Sequence, residues 1–220
     1  MDQALFFLVN QTWTSPGLDR LMATLSSFDV WTPLLLVGIV AVTIAGCFKA
    51  RMMLVVLLVV VGITDGVVVN GLKHAVNRPR PKQVAAVRVI DLKKTKPRFL
   101  AVFAPPAVKI STPEHGLIEG RSFPSGHTSD NFAAAAVLAL FYRRFGWIYF
   151  LVAAAIGYSR LYTGAHWPSD VLFSAFLGTA LGGLGVATAQ LAWKRWGGRL
   201  APQWSERHPS LLAKIPGETL

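Results

Sequence analysis

Apolar residues occupy the chain in long blocks. Residues 31–48 and 52–69 are almost wholly apolar, each close to the roughly 20 residues that carry a helix across a bilayer. Residues 128–142 and 145–158 form shorter blocks. Residues 171–193 form a long one, in which Gly178, Gly182, Gly183 and Gly185 allow close helix–helix approach. Ahead of these, residues 5–13 are too few to span in the usual way. With residues 18–28 they predict either an interfacial segment or one further short helix. The pattern therefore predicts an all-α integral membrane bundle of five or six helices, without an internal repeat or a low-complexity linker. Residues 1–200 read as the membrane domain and residues 201–220 as a loose cytoplasmic tail.

Composition narrows the setting. Of 220 residues, 53% are hydrophobic and 15% charged, against roughly 25% charged in ordinary soluble domains. The mean hydropathy is +0.46. A soluble body this small has too little interior for that apolar surface, so lipid must cover part of it. The net charge of +11 needs a partner. A nucleic-acid binder would carry it on a water-soluble body, whereas anionic lipid or a phosphate substrate suits a greasy chain. Cys47 is the sole cysteine, which excludes a disulfide framework and a cysteine metal cluster. The opening Met1-Asp2-Gln3 lacks the basic start of a cleavable signal peptide, so the apolar blocks are expected to insert and stay.

Basic residues set the expected orientation. Lys49 and Arg51, Arg143 and Arg144, and Lys194, Arg195 and Arg199 fall in alternate connections, hence on one side, and short basic loops mark the cytoplasm. Residues 73–121 then lie outside as a long extracytoplasmic loop, although they too are rich in Lys and Arg. Its segment 82–121 mixes an apolar run (99–108) with Lys93, Lys94, Lys96 and Arg98. It reads either as an interfacial lid over a head group or as a basic tether to anionic lipid.

Three clusters sit at the outer ends of the blocks. The first runs from Lys73 through His74, Asn77, Arg78 and Pro79 to Arg80 and Pro81. The second is Ser122-Phe123-Pro124-Ser125-Gly126-His127. The third pairs Ser159-Arg160 with His166-Trp167-Pro168-Ser169-Asp170. Alternating spans bring all three to one face. There Lys73, Arg80 and Arg160 offer cationic donors, two of them planar forks suited to phosphate oxygens. Ser125 can cap the helix that Gly126 and His127 open, and a helix N-terminus is an anion site. Two histidines and a carboxylate complete an inventory that suits phosphoryl transfer. One histidine must attack phosphorus with a carboxylate orienting its ring. His166 has Asp170 four residues on, with Pro168 in the first helical turn. His127 is then left to protonate the leaving alkoxide.

The pattern Lys73 to Arg80-Pro81, Pro124-Ser125-Gly126-His127 and Ser159-Arg160 to His166 and Asp170 resembles the three-part signature of the type 2 phosphatidic acid phosphatase and vanadium haloperoxidase superfamily. All three parts match in order without a substitution. The resemblance implies a six-helix bundle, with the N-terminal stretch supplying the extra helix. It implies a metal-independent reaction without a cofactor, through a phosphohistidine on His166. Asp170 would orient that ring, and His127 would act as acid. Lys73, Arg80, Ser125, Gly126 and Arg160 would bind phosphate, and vanadate would bind as a mimic of five-coordinate phosphorus. Helices flanking every motif favour the membrane lipid phosphatase branch over the soluble haloperoxidases.

The expected activity is hydrolysis of a lipid phosphate monoester or diphosphate in the inner cell membrane. Phosphatidate, phosphatidylglycerol phosphate, undecaprenyl diphosphate and a lipid A phosphate are the candidates, and envelope lipids are favoured. A phosphotransferase would use the same residues. A non-enzymatic lipid-phosphate binder or transporter would not need His127, His166 and Asp170 together. Around the motifs, Asp65 lies inside a span, where a carboxylate usually pairs within the bundle. It reads as a support for Lys73 or as a structural contact, and Asp130 and Asn131 read likewise. His74 and Arg78 read as neighbours of the site, Arg143 and Arg144 as anchors, and His115 and Glu114 as solvated. Trp13, Trp31, Trp147, Trp167 and Trp193 read as an interfacial belt, with Trp167 also a candidate wall of the site.

Overall fold

In the computed structural model, which describes residues 1–93, 95–113 and 121–213, the chain is mostly helical. The helices are α1 (Asp2–Phe7), α2 (Pro16–Ser26), α3 (Phe28–Ala45), α4 (Phe48–Ile63), α5 (Asn70–Val76), α6 (Pro81–Val84), α7 (Gly126–Phe141), α8 (Tyr149–Tyr162), α9 (Pro168–Leu200) and α10 (Pro202–Arg207). A π-helical turn, Thr64–Val69, joins α4 to α5 into one continuous rod. One departure from an all-α chain lies in the long loop. There β1 (Arg88–Asp91) and β2 (Ala107–Ile110) pair antiparallel, with Arg88 opposite Ile110.

Among the described residues, three runs are long and apolar enough to cross a membrane: Phe28–Ala45, Phe48–Val84 and Pro168–Leu200. The first, α3, buries none of its residues, as expected for a helix that is apolar all round and bathed in lipid. α7 and α8 are shorter, at 16 and 14 residues, and lie between the others. The centre of the bundle is the pair α7 and α9. Methyls added at Gly178 and Gly182 would lie 2.1 Å from the Ser129 carbonyl oxygen and 2.5 Å from that of Ala133, so the backbones touch. Small residues let two helices gain dispersion contacts that lipid tails cannot displace. Met53, Val56 and Val60 of α4 pack beside Ala133, Val137 and Phe141 of α7 and Val186 of α9.

The N-terminal stretch does not form the expected sixth span. The start of α2 meets the end of α8, where the Ser15 amide donates to the Tyr162 hydroxyl (3.3 Å). Its end meets the same place, where Arg160 donates to the Ser26 carbonyl (3.1 Å). A helix with both ends at one level of α8 lies across the bundle, burying Met22 and Ala23 on Leu161 and Tyr162. Phe6 of α1 likewise packs on Val87 and Trp167. Together α1, α2 and the hairpin cover one end of the bundle. Asp19 binds Arg88 through both oxygens (3.0 and 2.8 Å), and Asn10 accepts from the Arg88 amide, which ties these pieces together.

The opposite end gathers the basic connections. Lys49 lies over the Tyr142 ring, and Phe48 packs on Trp193, so the α3–α4 turn, the end of α7 and the end of α9 meet. The tail is less loose than its sequence suggests. Trp204 and His208 stack on Phe48, the Trp193 indole donates to the His208 carbonyl (2.8 Å), and Leu211 is buried in the core. Aromatic and apolar residues spaced along 202–213 thus close the bundle floor, although proline and charge dominate the local composition.

The α7–α9 contact predicts an asymmetry between two glycines of α9. Gly178→Ala overpacks against the Ser129 backbone and costs roughly 1–3 kcal/mol, read as a lower thermal unfolding midpoint in detergent. Gly183→Ala, with nothing within 4 Å, leaves the midpoint unchanged or slightly raised.

Candidate active site

All three motif clusters converge at the end covered by α1, α2 and the hairpin. α5 stops at Asn77, which adopts the left-handed conformation (φ 46°) that asparagine tolerates at a helix end. Pro79 and Pro81 then keep the chain extended, leaving Lys73 on the last turn and Arg80 just beyond it. α7 begins at Gly126, and a methyl there would sit 3.0 Å from Asp65 Oδ1 and 3.4 Å from Lys73 Nζ. α8 carries Arg160 in its last turn. A turn with Gly164 at φ 76° reverses the chain beneath the Arg88 carbonyl and delivers His166 to the start of α9.

Ser125 occupies the N-cap position of α7 without the expected backbone cap. Its hydroxyl accepts from Thr128 Oγ1 (3.0 Å), and its amide donates to Ser174 Oγ (2.7 Å). At α9 the cap comes from Asp170, whose Oδ2 accepts from the Trp167 amide (3.0 Å), with Pro168 at the first helical position.

His166 is 3% exposed, and its Nδ1 lies 2.6 Å from the Ser122 carbonyl oxygen. A carbonyl only accepts, so Nδ1 carries the proton and Nε2 keeps its lone pair. Burial holds the ring's pKa well below its ordinary value, and the nearby Arg160, Arg80 and His127 push in the same direction against the Ser122 hydrogen bond. At neutral pH the imidazole is therefore neutral.

The expected direct pairing of Asp170 with His166 is not formed. The fully buried Asp170 instead accepts from Ser122 Oγ (2.5 Å), the Trp167 amide and Arg78 Nη1 (2.5 Å). Ser122 stands between them, its hydroxyl on the carboxylate and its carbonyl on the ring. Asp170 folds back to cap its own helix, and the Ser122 carbonyl of the segment entering α7 lies beside Nδ1 in its place.

The cations surround this ring. Arg160 is anchored on the Ser26 carbonyl and hydroxyl, with its buried Nε lacking a partner. Arg80 lies within electrostatic reach of Arg160, His127 and His166. Lys73 interacts with Arg80, and both interact with Arg121, a cation the motif pattern does not include. Like charges gathered this closely repel, and an oxyanion among them relieves the repulsion. Asp65 and, less strongly, Asp130 lie within electrostatic reach of Lys73, while Asn131 donates to the His127 carbonyl and accepts from Tyr149.

Two residues carry more than their positions in the motifs suggested: Ser122, and Arg78, which binds Asp2, Ser169 and Asp170. His74 turns back onto the Asn70 carbonyl, away from the cluster. Trp167 is 5% exposed and walls the site, whereas Trp13 and Trp147 are half exposed. Lys94, Glu114 and His115 fall outside the described residues.

Comparison with known proteins places this geometry. A bacitracin transport permease protein BcrC of Bacillus licheniformis is 42% identical over 57 residues, 26% of this chain and 28% of that protein. A lipid A 1-phosphatase of Rhizobium etli is 30% identical over 119 residues, 54% of this chain and 41% of that protein. An undecaprenyl-diphosphatase of Sulfolobus acidocaldarius is 38% identical over 66 residues, 30% of this chain and 32% of that protein. The chain thus spans less than half the length of these curated relatives. The crystal structure of Aquifex aeolicus LpxE superposes with a TM-score of 0.58 at 28% identity, covering 84% of this chain and 94% of that one. The profile of the PAP2 superfamily matches residues 34–196, which take in every motif cluster, and the chain belongs to that superfamily.

Proposed function

We propose that the protein is a membrane lipid phosphatase that hydrolyses a lipid phosphate monoester or diphosphate through a phosphohistidine on His166. One observation carries the reading: a buried neutral imidazole, fixed with Nε2 unprotonated, stands among Arg80, Arg160 and a second histidine. Nε2 attacks phosphorus while the bond to the lipid oxygen breaks, and His127 gives that oxygen its proton. Water then attacks the phosphohistidine, returning a proton to His127 and releasing inorganic phosphate. Lys73, Arg80 and Arg160, with the first-turn amides of Gly126 and His127, hold the equatorial oxygens, and Ser125 fixes that turn. Asp170 acts through Ser122, whose carbonyl stabilises the Nδ1–H of the charged ring.

The lipid class follows from the neighbours. Relatives named for undecaprenyl diphosphate and lipid A support an envelope lipid over phosphatidate or phosphatidylglycerol phosphate. Five crossings, namely α3, the α4–α5 rod, α7, α8 and α9, carry the site to the extracytoplasmic face of the inner membrane. Residues 1–200 act as one unit, and the basic connections face the cytoplasm. The segment 98–103, which packs near the start of α3 with Phe99, Leu100 and Phe103 exposed, suits a lid at the lipid head-group level.

Phosphate release by purified protein in EDTA, over a panel of lipid phosphates, tests the reaction. The wild type releases phosphate from undecaprenyl diphosphate or a lipid A phosphate, and His166→Ala is slower by roughly a thousandfold or more. Intact binding with no release from any lipid would move the reading to a binder, and release only with an added alcohol acceptor to a phosphotransferase.

The pH profile tests the state of His166. Its lowered pKa places the acidic limb of kcat/KM below the ordinary histidine value of about 6.5. Arg160→Gln removes a cation that disfavours the imidazolium, so the limb moves up toward that value even as the rate falls.

Orientation can be read at Cys47, which is exposed at the end opposite the site. A membrane-impermeant maleimide labels it in inverted vesicles and spares it in intact cells. The reverse pattern would place the site in the cytoplasm.

A further inference from the structure

We infer that Arg78 is a positioning residue for the nucleophile, with Asp2 on α1 completing its hold, an inference that rests on the reading of His166 as nucleophile. Arg78 lies inside the first motif but off its pattern, between left-handed Asn77 and the two prolines that fix the backbone. Both terminal nitrogens of its guanidinium are engaged on one side of the site. Nη1 lies 2.5 Å from Asp170 Oδ1 and 2.7 Å from Ser169 Oγ, Nη2 lies 2.6 Å from Asp2 Oδ2, and the group rests 5.6 Å over the Trp167 ring. Asp2 grips the same spot, accepting from the Ser169 amide (2.9 Å) and hydroxyl (2.7 Å). Burial alone would raise the Asp2 pKa, but the bonds from Ser169 and Arg78 outweigh it and keep the carboxyl ionised.

The Arg78 backbone closes the arrangement. Its carbonyl accepts from the Ser122 amide (2.9 Å), the Ser122 hydroxyl donates to Asp170, and Asp170 accepts from the Arg78 guanidinium. Ser122 thereby has its amide, hydroxyl and carbonyl all committed, the last to His166 Nδ1. Arg160 and Arg80 act on the His166 ring through their charge, whereas Arg78 binds Asp170 and reaches the ring through Asp170 and Ser122. Removing its side chain leaves Asp170 buried with a charge only partly satisfied, so the carboxylate, Ser122 and the ring lose their fixed register. Lysine cannot replace it fully, because one ammonium lacks the planar fork that serves two carboxylates.

The test uses the full chain in detergent with EDTA and the lipid phosphate that the wild type cleaves fastest. Arg78→Gln lowers kcat roughly 10–100-fold with KM nearly unchanged, the range typical of residues that orient an active-site ligand. The acidic limb of kcat/KM rises, since losing a cation beside Asp170 leaves more negative charge near His166 while Arg160, Arg80 and His127 stay in place. Arg78→Lys recovers part of the kcat loss and leaves the limb near its wild-type position, since the charge stays; Asp2→Asn lowers kcat in smaller measure without raising the limb, since it removes a negative charge. Wild-type kcat with an unmoved limb would overturn the inference, and so would a loss confined to KM. If Arg78→Gln does not fold, as gel filtration and thermal melting would show, wild-type kcat, or a loss confined to KM, in both Arg78→Lys and Asp2→Asn overturns it. A wild type that releases no phosphate would instead sink the nucleophile reading. The pH midpoint of His166 carbethoxylation by diethyl pyrocarbonate, read by mass spectrometry, then decides Arg78 without turnover: equal midpoints in wild type and Arg78→Gln reject it.

Discussion

The 2.6 Å contact between His166 Nδ1 and the Ser122 carbonyl is the constraint on which the site depends. Because a carbonyl oxygen cannot donate, the contact decides where the ring proton sits and which nitrogen is free. It also binds the third motif to the second, since Ser122 opens the strand that becomes α7 while His166 precedes α9. The ring can hold one orientation only while Ser122 does, and Ser122 is fixed by the Arg78 carbonyl and the Asp170 carboxylate.

That register rests in turn on how closely α7 and α9 pack. Gly178 and Gly182 let α9 lie against the backbone of Ser129 and Ala133, which sets the distance between the helix starts bearing His127 and Asp170. Asp170 serves two tasks with one side chain, capping α9 and holding Ser122. Such economy is costly to disturb, because stripping a partner from a buried charge typically destabilises by about 3–5 kcal/mol. The surrounding cations pull the other way, repelling one another until an anion lies among them.

The motif residues and their common face were legible because helix alternation alone brings Lys73, His127, Arg160 and His166 to one end. The start of α9 was legible too, since Pro168 marks a first helical turn, but Asp170 was expected on the His166 ring and not as the cap. What could not be read was the partner of each polar group. His166 and Asp170 are four residues apart, which suggested a direct pair, yet the intervening Ser122 comes from a different part of the chain. Arg78 looked like a bystander because its partners, Asp2 and Asp170, are distant in sequence. The N-terminal blocks left open an interfacial segment or one further short helix. Only the tertiary bonds from Tyr162, Arg160 and Arg88 show that α2 lies across the bundle. The hold on residues 202–213 could not be read either, since the burial of Leu211 depends on Gln190 and Trp193 of α9.

α3 buries no residue, and beyond the turn to α4 it is met mainly by the loop segment 98–103, where Arg98 reaches Asp29. A helix so placed is free of the jigsaw demands that bind α7 to α9. Its sequence can drift among Leu, Val, Ile and Phe without loss of fitness, provided its greasy length is kept. Divergence among related chains should therefore pool on α3, and bilayers of different thickness would leave their imprint on this one rod while the catalytic half stays unchanged.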